Sequence, residues 1–110
     1  MARFSRLQVW TQMEQLGVVP LFYDGNVERA IKTAAAIAAG GAKVIEFTNR
    51  GDRAFEVFRE LVVHFEEADP ELVLGVGSVL DVGTAGLYIN LGANFIVGSV
   101  TNPEVARLCN

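Results

Sequence analysis

Lysine is scarce in this chain: only Lys32 and Lys43 occur among 110 residues, and the acidic excess leaves a net charge of −4. A nucleic-acid surface needs clustered Lys and Arg, so that partner is excluded. A single cysteine, Cys109, rules out an internal disulfide and leaves any metal site without thiolate company, so it reads as a packed thiol and not a nucleophile. The one histidine, His64, lies within a helical stretch between Val63 and Phe65, which gives neither a paired-His metal site nor a Ser-His-Asp arrangement. No apolar run approaches the roughly 18 residues of a membrane helix. The opening "MARFSRLQVW" also lacks the long apolar core of a secretory signal, so a soluble cytoplasmic protein with no membrane partner is expected. What the chain does have is apolar content, 51% against 20% charged, enough for one folded unit over 1–110.

Apolar runs of strand length alternate with segments of helical spacing, separated by Gly, Asn or Asp. The predicted strands are "VVPLFY" (18–23), "KVIEFT" (43–48), "LVLGVGSV" (72–79) and "FIVGS" (95–99). Asn26 is placed to cap a helix with the apolar stripe Val27, Ala30, Ile31, Ala34 and Ala38, ending at Gly40-Gly41. Asp52 is read as the cap of a second helix, with Phe55, Phe58, Leu61, Val62 and Phe65 inward and Glu66, Glu67 and Asp69 as a solvated close. Asp81 opens a third helix that stops near Gly92, and Asn102-Pro103 starts a fourth. Residues 1–17 form one more helix, expected to pack across an end of the sheet through Leu7, Trp10 and Leu16. This alternation implies an α/β fold with parallel strands and crossover helices. An internal echo, "GGAKVIEF" against "NLGANFIVG", suggests repeated βα units. Four such units over 18–110 are a (βα)4 half of a (βα)8 TIM barrel, whose usual length is about 250 residues. The alternative is a small doubly wound sheet, complete in itself.

One residue in these strands is out of place. Glu46 sits in the middle of "KVIEFT", where parallel strands usually bury both faces, and an unpaired carboxylate is costly to bury. Side chains alternate, so Val44, Glu46 and Thr48 share one face while Ile45 and Phe47 share the other. In a barrel the Ile45/Phe47 face meets the helices, Glu46 and Thr48 look inward, and Arg50 stands at the C-terminal rim where active sites of such barrels lie. The bland alternatives are an ion pair with a buried arginine or an edge strand facing solvent. "GVGSV" (75–79) offers the backbone of Gly75 and Gly77 and the hydroxyl of Ser78 as a carboxylate or phosphate cradle, or else is a glycine-rich turn used for close packing. It is neither a dinucleotide fingerprint nor a P-loop.

Taken in order, "GVVPLFY", "AAGGAKVIEFTNR", "GVGSVL" and "GANFIVGSVTNPEV" resemble the N-terminal half of the 2-keto-3-deoxy-6-phosphogluconate (KDPG) and 4-hydroxy-2-oxoglutarate (KHG) aldolases over about residues 17–108. The resemblance implies a class I lyase that cleaves its substrate to pyruvate and an aldehyde through a lysine Schiff base, with no metal or other cofactor. It implies Glu46 as the proton-transferring glutamate, Arg50 as a ligand of the anionic oxo acid, and Ser78, with Thr48 and Gly77, beside the pyruvate carboxylate. It also places the Schiff-base lysine on a sixth strand and implies a homo-oligomer, commonly a trimer. Lys32 and Lys43 do not stand in for that lysine, so the 110-residue chain is expected to be an inactive N-terminal half. "VGSV" after the fourth strand, with Asn49 and Gly51 beside Arg50, departs from the family pattern. The competing expectation is a non-catalytic half-barrel that self-associates through its open edges.

Overall fold

The computed structural model describes residues 2–110. Eight elements follow in order: α1 (Arg6–Leu16), β1 (Leu21–Phe22), α2 (Val27–Ala39), β2 (Val44–Thr48), α3 (Ala54–Ala68), β3 (Val73–Gly77), α4 (Val82–Asn90) and α5 (Pro103–Cys109). The strands are parallel in the order β1-β2-β3, with Glu46 opposite both Leu21 and Gly75. The fourth predicted strand is reduced to one parallel bridge, Val76 to Ile96, held by Val76 N–H to Phe95 O and Val97 N–H to Val76 O.

The sequence predicts a longer first strand than is found. Pro20 has no N–H to give a ladder, although its carbonyl still accepts from Glu46 N at 3.0 Å, so regular pairing begins at Leu21. Both outer segments lie at open edges, where pairing on one side only leaves strands short. β3 likewise stops at Gly77, because Ser78 turns into the left-handed region at φ 61°.

Two apolar clusters divide the sheet by face. Ile45, Phe47, Leu74 and Val76 pack under Ala30 and Ala34 of α2, Phe58, Leu61 and Phe65 of α3, and Tyr88 of α4. On the opposite face Val44 and Val73, the first residues of their strands, pack with Val9, Met13, Leu16 and Phe95. α1 therefore closes the N-terminal end of the inner face. A capping box between Ser5 and Gln8 starts it.

It does so with Val9, Met13 and Leu16, not with Leu7 and Trp10, which are exposed at 75% and 65%. The helix carries apolar residues in two directions, and the 9/13/16 spacing is the one that meets the strand ends. Asn94 fastens the segment before it: the side-chain Oδ1 accepts from Arg3 N and Phe4 N at 2.8 and 3.2 Å, while Nδ2 donates to Leu74 O.

Asn26, Asp81 and Asn102 cap α2, α4 and α5 through their side chains. Asp52 does not cap α3. Arg53 holds that position with φ 63° and no side-chain cap, because Ala54 N–H closes a turn back to Gly51 O. Phe55 is 39% exposed and so leaves the inward stripe of α3, whereas Phe58, Leu61, Val62 and Phe65 are buried. Asp69 is paired with Lys43 at 3.1 Å instead of closing a solvated run. Cys109 is exposed, not packed, though what burial it has pushes its thiol up from the ordinary value.

Candidate active site

β2 carries the candidate residues and β3 makes room for them. Val44, Glu46 and Thr48 face away from α2–α5, as alternation requires, and opposite them β3 presents Val73, Gly75 and Gly77. The glycines are ladder residues of β3, within the strand expected over 72–79, and leave a groove lacking side chains beside β2. A Cβ on Gly75 would overlap the Phe95 ring, and one on Gly77 would overlap the Glu46 carboxylate. Two large inner-face groups thus lie across backbone that only glycine leaves clear.

Glu46 is half-buried, and among the described residues no hydrogen bond or salt bridge reaches its carboxylate. The ion pair with a buried arginine is therefore not what justifies it. Burial pushes its carboxyl above the ordinary value of 4.5, since nothing nearby favours the charged form. Replacing Gly77 with alanine is expected to drive the carboxylate from this seat toward the open side of the sheet. The Glu46 pKa, followed by its carboxyl carbon in an NMR titration, should then fall toward the ordinary value; an unchanged titration would show that the seat on Gly77 is not the cause.

Thr48 is 5% exposed, and its Oγ1 is buried without a partner. Native interiors rarely leave a hydroxyl so placed. On the same face as Glu46 it is an unfilled donor and acceptor, closed off from solvent. Ser78 is half-buried just past β3, its left-handed backbone carrying the chain from the sheet into the 78–81 rim. Arg50 is exposed at the rim, two residues beyond β2, with its N–H donating to Thr48 O at 2.9 Å. The fold thus gathers Glu46, Thr48, Arg50, Gly77 and Ser78 at the C-terminal ends of adjacent strands. The two lysines lie elsewhere: Lys43 precedes β2 at the opposite end, paired with Asp69, and Lys32 is exposed on α2. His64 is exposed on α3 with its ring edge-on to Phe65, which makes it a surface helix residue.

Sequence reasoning missed the residues behind the rim. Tyr88, 1% exposed on α4, donates its hydroxyl to Asn49 Oδ1 at 2.8 Å, and Asn49 N–H donates to Gly77 O. Burial pushes the Tyr88 hydroxyl up to about 12, so it stays a donor throughout the neutral range. The hydroxyl of Tyr23 lies against Gly51, where a Cβ would overlap it. The departure of Asn49 and Gly51 from the expected pattern was the one signal that this loop is built in its own way.

A cavity of about 580 Å³ lies away from Glu46. It opens beside the fourth strand segment and is lined by Trp10, Met13, Phe95, Ile96 and Leu108 among others. Among the described residues no cluster of His, Cys, Asp and Glu approaches a metal-binding set, and no helix is long and apolar enough to cross a membrane.

Parallel strands in sequential order, α2–α5 on one face and a carboxylate with hydroxyls from mid-strand to the C-terminal rim of the other are the arrangement of a (βα) half-barrel. Within that architecture, the chain belongs to the aldolase family described as "KDPG and KHG aldolase", whose family model matches residues 9–110. It is 26% identical over 106 residues to the 2-dehydro-3-deoxy-phosphogluconate aldolase of Haemophilus influenzae, a match that covers 96% of this chain and 48% of the relative. It is 31% identical over 87 residues to the KHG/KDPG aldolase of Escherichia coli K12, covering 78% and 39%.

Among solved structures it superposes on the KDPG aldolase of Legionella pneumophila with a TM-score of 0.71 and 28% identity, over 79% of this chain and 40% of that one. That structure holds pyruvate captured at low pH as a covalent carbinolamine intermediate. The Zymomonas mobilis ATCC 29191 enzyme gives a TM-score of 0.69 at 26% identity, over 81% and 41%. The chain spans about half the length of the curated relatives it matches.

Proposed function

We propose that this chain supplies the N-terminal half of the active site of a class I aldolase that cleaves KDPG or KHG to pyruvate and an aldehyde. The observation that carries the reading is the Glu46 carboxylate, half-buried and unpaired on the inner face, its burial favouring the protonated form. A carboxyl whose burial favours the protonated form is suited to giving a proton as well as taking one, as the carbinolamine and enamine steps of a Schiff-base aldol cleavage require. The unpartnered Thr48 hydroxyl and the Ser78 hydroxyl suit the carboxylate of the oxo acid, with Arg50 supplying positive charge at the rim. In this chemistry a lysine condenses with the 2-oxo group, water leaves, and the iminium accepts the electron pair of the broken C3–C4 bond.

Trapping with pyruvate and borohydride, read by intact mass, tests the assignment. The 110-residue chain should form no reduced adduct, because Lys43 lies at the wrong end of β2 and Lys32 on an outer helix. A pyruvate adduct on either lysine would overturn the placement of the site.

A further inference from the structure

The Arg50 loop is tied down on both sides by tyrosines that do not themselves line the Glu46 face. Upstream, Tyr88 donates to Asn49, the residue immediately before Arg50, and the Asn49 amide is in turn hydrogen-bonded to Gly77 O. Downstream, the Tyr23 hydroxyl occupies the space over Gly51, the residue immediately after Arg50. Between these two ties the chain turns tightly, with Arg50 N–H donating back to Thr48 O.

Tyr88 is itself fixed: it is buried, and its ring stands edge-on to Phe58 at 5.3 Å, so the hydroxyl reaches the rim from a rigid part of the core. By contrast no hydrogen bond or ion pair among the described residues holds the Arg50 side chain. Its placement therefore depends on the backbone that carries it. A buried hydroxyl paired with a single amide oxygen at such a point orders the backbone at the cost of few contacts.

We propose that the Tyr88–Asn49 hydrogen bond is a latch that positions Arg50 for the carboxylate of a 2-oxo acid, which makes Tyr88 and Asn49 positioning residues of the site. The inference rests on the reading of Arg50 as an anion ligand. Without the latch, the rim peptide between Thr48 and Gly51 loses its anchor in the helical layer, and Arg50 samples positions from which it does not reach the ligand. Preorganisation of this kind raises affinity by removing an ordering cost at the moment of binding.

A double-mutant cycle on pyruvate affinity, measured by NMR titration of the full chain, tests the latch. Arg50→Ala should weaken pyruvate binding, and Tyr88→Phe should weaken it roughly fivefold, the scale of one lost hydrogen bond. In the Arg50→Ala background the Tyr88→Phe change should have no further effect, since a latch acts only through the residue it places. Asn49→Leu, which removes the acceptor instead of the donor, should reproduce Tyr88→Phe and not add to it.

Tyr88→Phe that weakens binding equally with and without Arg50, or that leaves it unchanged while Arg50→Ala weakens it, overturns the latch and leaves the proposed function standing. Arg50→Ala without effect on pyruvate overturns the anion-ligand reading and the latch together. Thermal melts of each variant separate loss of fold from loss of binding, and Asn49→Leu carries the test if Tyr88→Phe does not fold.

Discussion

Phe47→Ala should cost about 3–5 kcal/mol and leave the chain largely unfolded at 37 °C, as measured by urea denaturation. Phe47 is fully buried on the helix-facing side of β2. Its ring meets Phe22 at 5.6 Å edge-on, Tyr23 at 5.8 Å and Phe58 at 6.2 Å, and Phe58 continues to Tyr88. One side chain thus links β1 and β2 to α3 and, through Phe58, to α4. The cavity left by a lost ring adds its cost to the lost transfer free energy. Against a total stability of roughly 5–15 kcal/mol for a domain, that is a large share of what holds it folded. A loss below about 1 kcal/mol would mean the outer layer repacks, and the aromatic chain would not be the centre of the core.

Glu46→Gln should move stability and catalysis in opposite directions. The folded-state pKa of Glu46 is raised above the ordinary value of 4.5, so the folded chain binds this proton more tightly than the unfolded chain does. Stability therefore falls as pH rises from the unfolded value through the raised one, and above that range the native chain bears the full cost of a desolvated charge. Glutamine carries no such cost.

The variant should consequently melt higher than the native chain at pH 7, with the difference vanishing below about pH 4.5, where both side chains are neutral. In a catalytically competent form of the protein, with a Schiff-base lysine facing this site, the same substitution should lower aldol cleavage by about 10²–10⁴-fold, the usual contribution of a positioned acid–base group. Lower melting at pH 7 would identify Glu46 as a structural residue. Unchanged cleavage would remove it from the mechanism.

Much of the architecture was legible because the punctuation is strong: Asn26, Asp81 and Asn102 start helices where they stand, and β2 lies where its apolar run predicts. Glu46 was legible as a charged residue within a run that buries its neighbours. The failures have physical causes. A short sequence window does not show whether an apolar strand has one partner or two, so β1 and the fourth segment were drawn too long. α1 offers apolar residues in more than one direction, and only the strand ends it meets decide between them. Gly75 and Gly77 were legible as strand residues used for close packing, but not the particular groups they clear space for, Phe95 and the Glu46 carboxylate. The Tyr88–Asn49 contact joins residues 39 positions apart and has no local signature.

The fastening of residues 3 and 4 by Asn94 bears on how the chain folds. Arg3 and Asn94 are 91 positions apart, nearly the whole length of the unit, and closing so long a loop is among the slower events open to it. During synthesis the N-terminal segment emerges first while its partner emerges after three βα units. α1 has its seat on Val44 and Val73 once β2 and β3 are made, but the segment before it is fastened only when Asn94 arrives. Fastening of the N-terminal segment thus reports the arrival of the fourth βα unit.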